Sequence, residues 1–188
     1  MFHISKNKCV GCGLCEEKCP AKAISINNQG FAFIDQEKCI QCGLCVDICP
    51  QGASKNITEK LTFAIGTDDG KIIKQGEHIG ESEYFSIWDY SEGKMAFREK
   101  RENIKYEEDE TSSHGNPEKA KKVSSVLTGV DVIAGKIIGP NVVRMKKKYV
   151  PVIIREPSID RVIEIIKENI NEIVDEYHKQ DRKAIILN

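Results

Sequence analysis

The stretch CVGCGLCEEKCP at residues 9–20 returns as CIQCGLCVDICP at 39–50, and the two copies hold all 8 cysteines of the chain. An offset of 30 residues pairs Cys9 with Cys39, Cys12 with Cys42, Cys15 with Cys45 and Cys19 with Cys49. Gly13/Gly43, Leu14/Leu44, Pro20/Pro50 and Ala23/Ala53 also match, so the segment is an internal duplication. Three cysteines at intervals of three wrap a tight loop round one face of a metal–sulfur cube. The glycine between the second and third lets the backbone approach inorganic sulfide. The fourth cysteine, followed by proline, points away and serves the other cluster. The spacing therefore assigns Cys9, Cys12, Cys15 and Cys49 to one 4Fe–4S cluster, and Cys39, Cys42, Cys45 and Cys19 to a second. So short a segment buries little core of its own, and two cross-ligated clusters would take that place.

Other uses of eight cysteines make different demands. Zinc favours two separated C-x2-C pairs over three cysteines in a row of threes. Disulfides require an oxidising compartment. The start MFHISKNKCVG lacks a secretory apolar run, and polar residues soon interrupt every hydrophobic stretch, so a cytoplasmic protein away from the membrane is expected. A purely structural cluster fits the same ligands; electron relay is the reading that uses two. The formal net charge of −1 supplies no field for nucleic acid. Residues 1–56 carry 6 Lys/Arg and 5 Asp/Glu, a balance that thiolates on iron would turn negative.

Over about residues 1–56 the chain resembles the bacterial-type two-cluster 4Fe–4S ferredoxins. The stretch AISINNQGFAFID between the motifs reads as a hairpin, with Ile24 and Ile26 alternating, a turn at NNQG, then Phe31 and Phe33. Ser54 departs from the pattern, since an apolar residue usually follows the second CP-x-A, and it suggests that the module ends abruptly there. The resemblance implies low-potential, one-electron steps.

The remainder reads strands first, then alternation. LTFAIGT (61–67) is a buried strand closed by DDGK; EYFSIWDYS (83–91) and KMAFREKRE (94–102) form a hairpin across Glu92-Gly93. A polar loop leads to Asn116 as N-cap, with Pro117 opening a helix through Val126 that Gly129 ends. VDVIAG (130–135) is a strand, a helix runs from the IGPN turn toward Lys148, and YVPVIIR is a further strand. In the last helix Ile159, Val162, Ile163, Ile166, Ile170, Ile173, Val174 and Tyr177 share one face. The order is βββαβαβα with a mixed sheet, an α/β domain. The expected boundaries are 1–56, a linker at 57–60, a domain at 61–178 and a tail at 179–188 in which AIILN pairs with a neighbour or frays. The chain as a whole is expected to be an α+β two-domain protein.

AIGTDDG, EHIG-x-S-x-YF, HG at 114–115, GVDV-x-AG and IGPN occur in that order across 61–178. In these motifs the region resembles the dinitrogenase iron–molybdenum cofactor biosynthesis family, of NifX/NifB type. The resemblance implies an RNase H-like fold and binding of a transferable iron–sulfur or iron–molybdenum cluster. Candidate contacts are His78 and His114, each beside glycine in a loop, and Gly139 and Asn141, where free N–H groups at a helix start would attract an anion. Solvated loop histidines and a plain strand-to-helix turn fit those positions as well. Asp68-Asp69 could bind metal in a nuclease, yet DDGK is also an ideal turn. MKKKY (145–149) suits a solvated helix end, and His3 and His178 look ordinary.

The expected function is electron transfer joined to assembly or delivery of a metallocluster. Redox proteins and metallocluster assembly proteins are its expected partners, and no catalytic nucleophile with its base is visible. The alternative is a ferredoxin whose C-terminal domain only docks it to an oxidoreductase.

Overall fold

The computed structural model describes residues 1–104 and 117–187. The chain forms two compact units, Met1–Glu59 with Asn169–Glu172, and Lys60–Glu168 with Ile173–Asn188.

In the first unit, β1 (Phe2–Ile4) pairs antiparallel with β4 (Ser54–Asn56), joining the two ends of the duplicated segment. Between them lie α1 (Leu14–Lys18), the hairpin β2 (Ile24–Ile26) and β3 (Ala32–Ile34), and α2 (Leu44–Asp47). The Asn27 side chain builds the hairpin turn by accepting from the Gln29 and Phe31 N–H groups, both at 3.0 Å. Ile26 pairs with Ala32 and Ile24 with Ile34, so the small Ala32 is buried while Phe33 stands exposed. The unit does not stop at Ser54 either: β4 continues it, and Ile57 is buried with its N–H on the Met1 carbonyl at 2.8 Å. Residues 57–59 therefore belong to the first unit and not to a linker.

The second unit is built on a six-stranded sheet in the order β10 (Ile185–Leu187), β9 (Val150–Ile154), β8 (Val132–Gly135), β5 (Leu61–Thr67), β6 (Tyr84–Ser91), β7 (Lys94–Glu102). β5 (Leu61–Thr67), β6 (Tyr84–Ser91) and β7 (Lys94–Glu102) form an antiparallel meander. Glu92 and Gly93 both take positive φ, 51° and 76°, which gives the two-residue turn between β6 and β7 the twist of its strands. α3 (Pro117–Val126) then leads to β8 (Val132–Gly135), which lies parallel to β5. α4 (Val142–Met145) leads to β9 (Val150–Ile154), parallel to β8. α4 ends three residues short of Lys148, and the long final helix is two, α5 (Ile159–Glu168) and α6 (Ile170–Tyr177), interrupted at Asn169. The expected tail returns as β10 (Ile185–Leu187), because Ile185 and Leu187 bury their side chains where the backbone pairs with β9.

The central strand β5 is buried along its whole length, as a strand covered on both faces must be. Ala64 belongs to a core with Phe85, Ile87, Val123, Leu127, Ile133, Met145 and Tyr149. Phe63 and Ile65 project to the opposite face and are equally buried. Ile79 is part of the first core although it lies in a loop, within the short 3-10 turn Ile79–Glu81. It seats there because Gly66 and Gly135, at the ends of β5 and β8, carry no side chain. A Cβ on Gly66 would stand 2.4 Å from Ser82 Oγ and 2.6 Å from Ile79 Cγ1. One on Gly135 would stand 3.1 Å from Ile79 Cβ. The Lys119 ammonium pairs with Glu81, and Asn103 Nδ2 donates to the Gly80 and Ser82 carbonyls, both at 2.8 Å.

Replacing Gly66 by Ala is expected to lower the stability of the second unit by about 1–3 kcal/mol, through overpacking against buried groups. The urea midpoint measures it, and an unchanged midpoint would refute the seat. His3, expected to be ordinary, is half-buried in β1; burial first and the terminal ammonium second hold its imidazole down to about 4. The unfolded chain protonates His3 near 6.5. This contribution to stability is therefore full above that pH and is lost as the pH falls from 6.5 toward 4. A His3→Gln variant should lose less stability than the parent between pH 7 and pH 5, read by unfolding at both values; parallel losses would contradict the assignment.

Candidate metal centres

In both copies of the repeat the residue directly after the second cysteine is a left-handed glycine, Gly13 at φ 78° and Gly43 at φ 82°. It turns the chain into α1 or α2. The duplication extends to the backbone where the residues differ: Gly11 and Gln41 take φ 65° and 55°, Lys22 and Gly52 take 49° and 56°.

These loops surround two cavities. One is walled by Cys9, Cys12, Cys15 and Cys49, together with Ala32 and Ser54. The other is walled by Cys39, Cys42, Cys45 and Cys19, together with Phe2 and Ile24, and Cys15 reaches its edge. Their volumes are similar, ≈ 340 Å³ and ≈ 380 Å³ including the part open to solvent. Among the described residues no three His, Cys, Asp or Glu side chains gather as ligands of a single ion would. The cysteines stand round the walls instead, as a polyatomic cluster with one thiolate on each iron requires. That arrangement fits two 4Fe–4S groups.

Backbone N–H groups point at three of the sulfurs. Ala23 donates to Cys19 Sγ at 3.3 Å and Ala53 to Cys49 Sγ at 3.2 Å, repeat-related bonds; Ala32 donates to Cys9 Sγ at 3.4 Å. Burial alone would raise the Cys49 thiol, but N–H groups of Ser54, Ala53, Gln51 and Gly52 outweigh it and hold the thiol below its usual range. Cys15 and Cys45 are pushed up, first by burial and then by neighbouring thiols, in Cys45 against the opposing effect of Ser54. Thiolates there depend on the positive charge of bound iron, which inverts the local preference.

In the second unit the structure brings two of the expected residues together. The His78 ring lies over Gly139, where a Cβ would stand 2.7 Å from His78 Cδ2 and 2.8 Å from Cγ. The Ile79 N–H donates to the Ile137 carbonyl at 2.8 Å and closes the loop onto the turn. His78 is exposed, and so is Ile137, whose carbonyl takes that bond. Asn141 lies in the same turn, but its Oδ1 accepts from Arg144 Nη1 at 3.1 Å. The expected anion-binding helix start is much reduced: α4 has one turn, and the Val142 and Arg144 N–H groups donate to the Gly139 and Asn141 carbonyls, both at 2.9 Å. His114 lies outside the described residues. Asp68 and Asp69 are spent on structure, Asp68 on Lys74 and the Glu83 N–H, Asp69 on the Lys71 and Ile72 N–H groups. In MKKKY, Lys146 pairs with Asp181 at 2.8 Å, and Lys147 and Lys148 are exposed.

Residues 59–179, more than half of the chain, match the family model described as dinitrogenase iron-molybdenum cofactor. The chain belongs to that family. His78, His114, Gly139 and Asn141 all fall within the matched stretch. Residues 8–53 match the model of the 4Fe-4S dicluster domain, so the N-terminal unit is a two-cluster iron–sulfur module. A probable ferredoxin of Methanosarcina thermophila is 46% identical over 33 residues, 18% of this chain. The match spans 57% of that relative's length.

Sequence reasoning missed the backbone donors of Ala23, Ala32 and Ala53, which no side chain announces. It also missed the glycine seat, although the glycines of AIGT, VIAG and IGPN were visible as a group. Replacing Gly139 by Ala is expected to displace the exposed His78 ring while changing stability by less than about 1 kcal/mol. Imidazole NMR shifts and a urea titration measure the two effects; an unmoved ring would show that the contact is not tight.

Proposed function

We propose that the chain is an iron–sulfur electron carrier joined to a domain that binds a metallocluster as cargo, serving redox-dependent assembly or delivery of an iron–sulfur or iron–molybdenum cofactor. The observation that carries this reading is the pair of cysteine-walled cavities on the same chain as a cofactor-family domain. Cys9, Cys12, Cys15 and Cys49 would hold one resident cluster, and Cys39, Cys42, Cys45 and Cys19 the other. When bound, each 4Fe–4S group supplies uptake and release of a single electron. The residues keep the thiolates in place: left-handed glycines aim the loops, the three alanine N–H groups share the sulfur charge, and apolar Phe2, Ile24 and Ala32 limit water.

On the second unit His78 offers an imidazole to passing cargo, with its ring braced by Gly139. An exposed single ligand suits transfer better than permanent retention. An RNase H-like fold belongs to the same reading, supported by a three-stranded antiparallel meander followed by strands parallel to β5. Redox proteins and cluster-assembly proteins of a reducing cytoplasm are the partners proposed. Among the described residues no helix is long and apolar enough to cross a membrane. Covalent linkage would keep donor and cargo at high effective concentration. A second reading, a domain that only docks the carrier to an oxidoreductase, is favoured by exposed Ile137, whose carbonyl closes the His78 loop.

Full-length protein prepared without oxygen should contain about eight irons with matching sulfide for the resident clusters. Incubation with an iron–sulfur or iron–molybdenum cofactor should add metal, and His78→Ala should abolish the addition while sparing the resident iron. Colourless, zinc-loaded, folded protein would overturn the first part. Metal uptake indifferent to His78 would remove it as the ligand, and no uptake with retained binding to a redox partner would favour docking.

A further inference from the structure

Ser54 is the place where the two halves of the duplication differ in a way that bears on their clusters. It opens β4 and is 4% exposed, and its Oγ finds no hydrogen-bond partner among the described residues. A buried hydroxyl is costly to leave unpaired, so such a group points to an acceptor that the polypeptide does not supply. The surroundings are sulfur. Ser54 lines the cavity of Cys9, Cys12, Cys15 and Cys49. Its hydroxyl also lies beside the Cys45 sulfur.

The 30-residue offset places Ile24 at the same position of the other copy. Ile24 is likewise buried, 7% exposed, and it lines the other cavity. It has no proton to give. The cysteines, the left-handed glycines and the alanine donors to Cys19 and Cys49 repeat between the copies; the hydroxyl does not.

We propose that the Ser54 hydroxyl donates a hydrogen bond to cluster sulfur, cysteinyl or inorganic, and thereby sets the two clusters at unequal reduction potentials. A donor at sulfur stabilises the more negative, reduced state and raises the potential of the cluster it touches. The first electron taken from a reductant is then held on the serine side, and a second is needed to fill the other. Ser54 acts here as a tuning residue, not as a ligand. The inference rests on the two-cluster reading of the cysteines.

The test is an anaerobic redox titration of the full-length protein, following hyperfine-shifted cysteine β-proton signals of each cluster by NMR, with iron and sulfide measured on every sample. Ser54→Ala should move one cluster to a more negative potential and leave the other where it was, while Ser54→Thr, which keeps the hydroxyl, should restore the parent value. Ile24→Ser should raise one cluster, and this second variant decides the matter should Ser54→Ala fail to hold iron. With iron content intact, potentials that do not move, or that move together in both clusters, would overturn the inference. A parent protein without the iron and sulfide of two clusters would overturn the underlying reading instead.

Discussion

Cysteine supplies much of the interior of the first unit. Its small buried cluster is Phe2, Ile24, Ala32 and Cys45, and Cys9, Cys15, Cys19 and Cys39 pack against it beside Ile4, Ile26, Ile34 and Val46. So few apolar side chains cannot offset the conformational entropy of about sixty residues. Order in this unit therefore depends on what the sulfurs hold. Free thiols would leave two cavities in the middle of the module, and unneutralised thiolates would repel across them; bound iron removes both problems at once. Fold and redox chemistry share a single cause here, since the ligands of the clusters are also the residues that the fold packs.

The second unit works by an opposite economy. Its sheet is held by conventional burial on both faces of β5, and what is unusual is how closely a loop is drawn onto it. Gly66, Gly135 and Gly139 remove three side chains, and the segment from His78 to Ser82 fills the space. Ile79 goes into the core, Glu81 and Gly80 are tied to Lys119 and Asn103, and His78 is left at the surface with its ring on Gly139. A rigid base beneath an exposed imidazole would give the ligand proposed here a defined direction and an open side.

Local pattern carried a large part of the architecture. β5, β6, β7 and α3 end within a residue or two of their expected bounds because buried alternation, the Glu92-Gly93 turn and Pro117 act over neighbouring residues. The failures came where partners distant in sequence decide. Periodicity extended one helix through Asn169, where the structure breaks it into α5 and α6. For AIILN local pattern left pairing and fraying open, and the parallel edge of β9 decides for pairing as β10. In the hairpin, local pattern named Phe31 and Phe33 without fixing which side faces in; the register with β2 puts the small Ala32 inside, where its N–H meets the sulfur of Cys9.

The sequence by itself determined the metal chemistry, because the spacing of eight cysteines is a distance constraint that few cofactors can meet. It also determined the order of most strands and helices, because side-chain period and turn residues are local properties. Only the tertiary structure decided that His78 rests on Gly139, that the one-turn α4 spends N–H groups on its own carbonyls, and that Ser54 carries a buried hydroxyl among sulfurs. Each of these depends on which groups meet after the chain has turned back on itself, and residue order does not encode that distance directly.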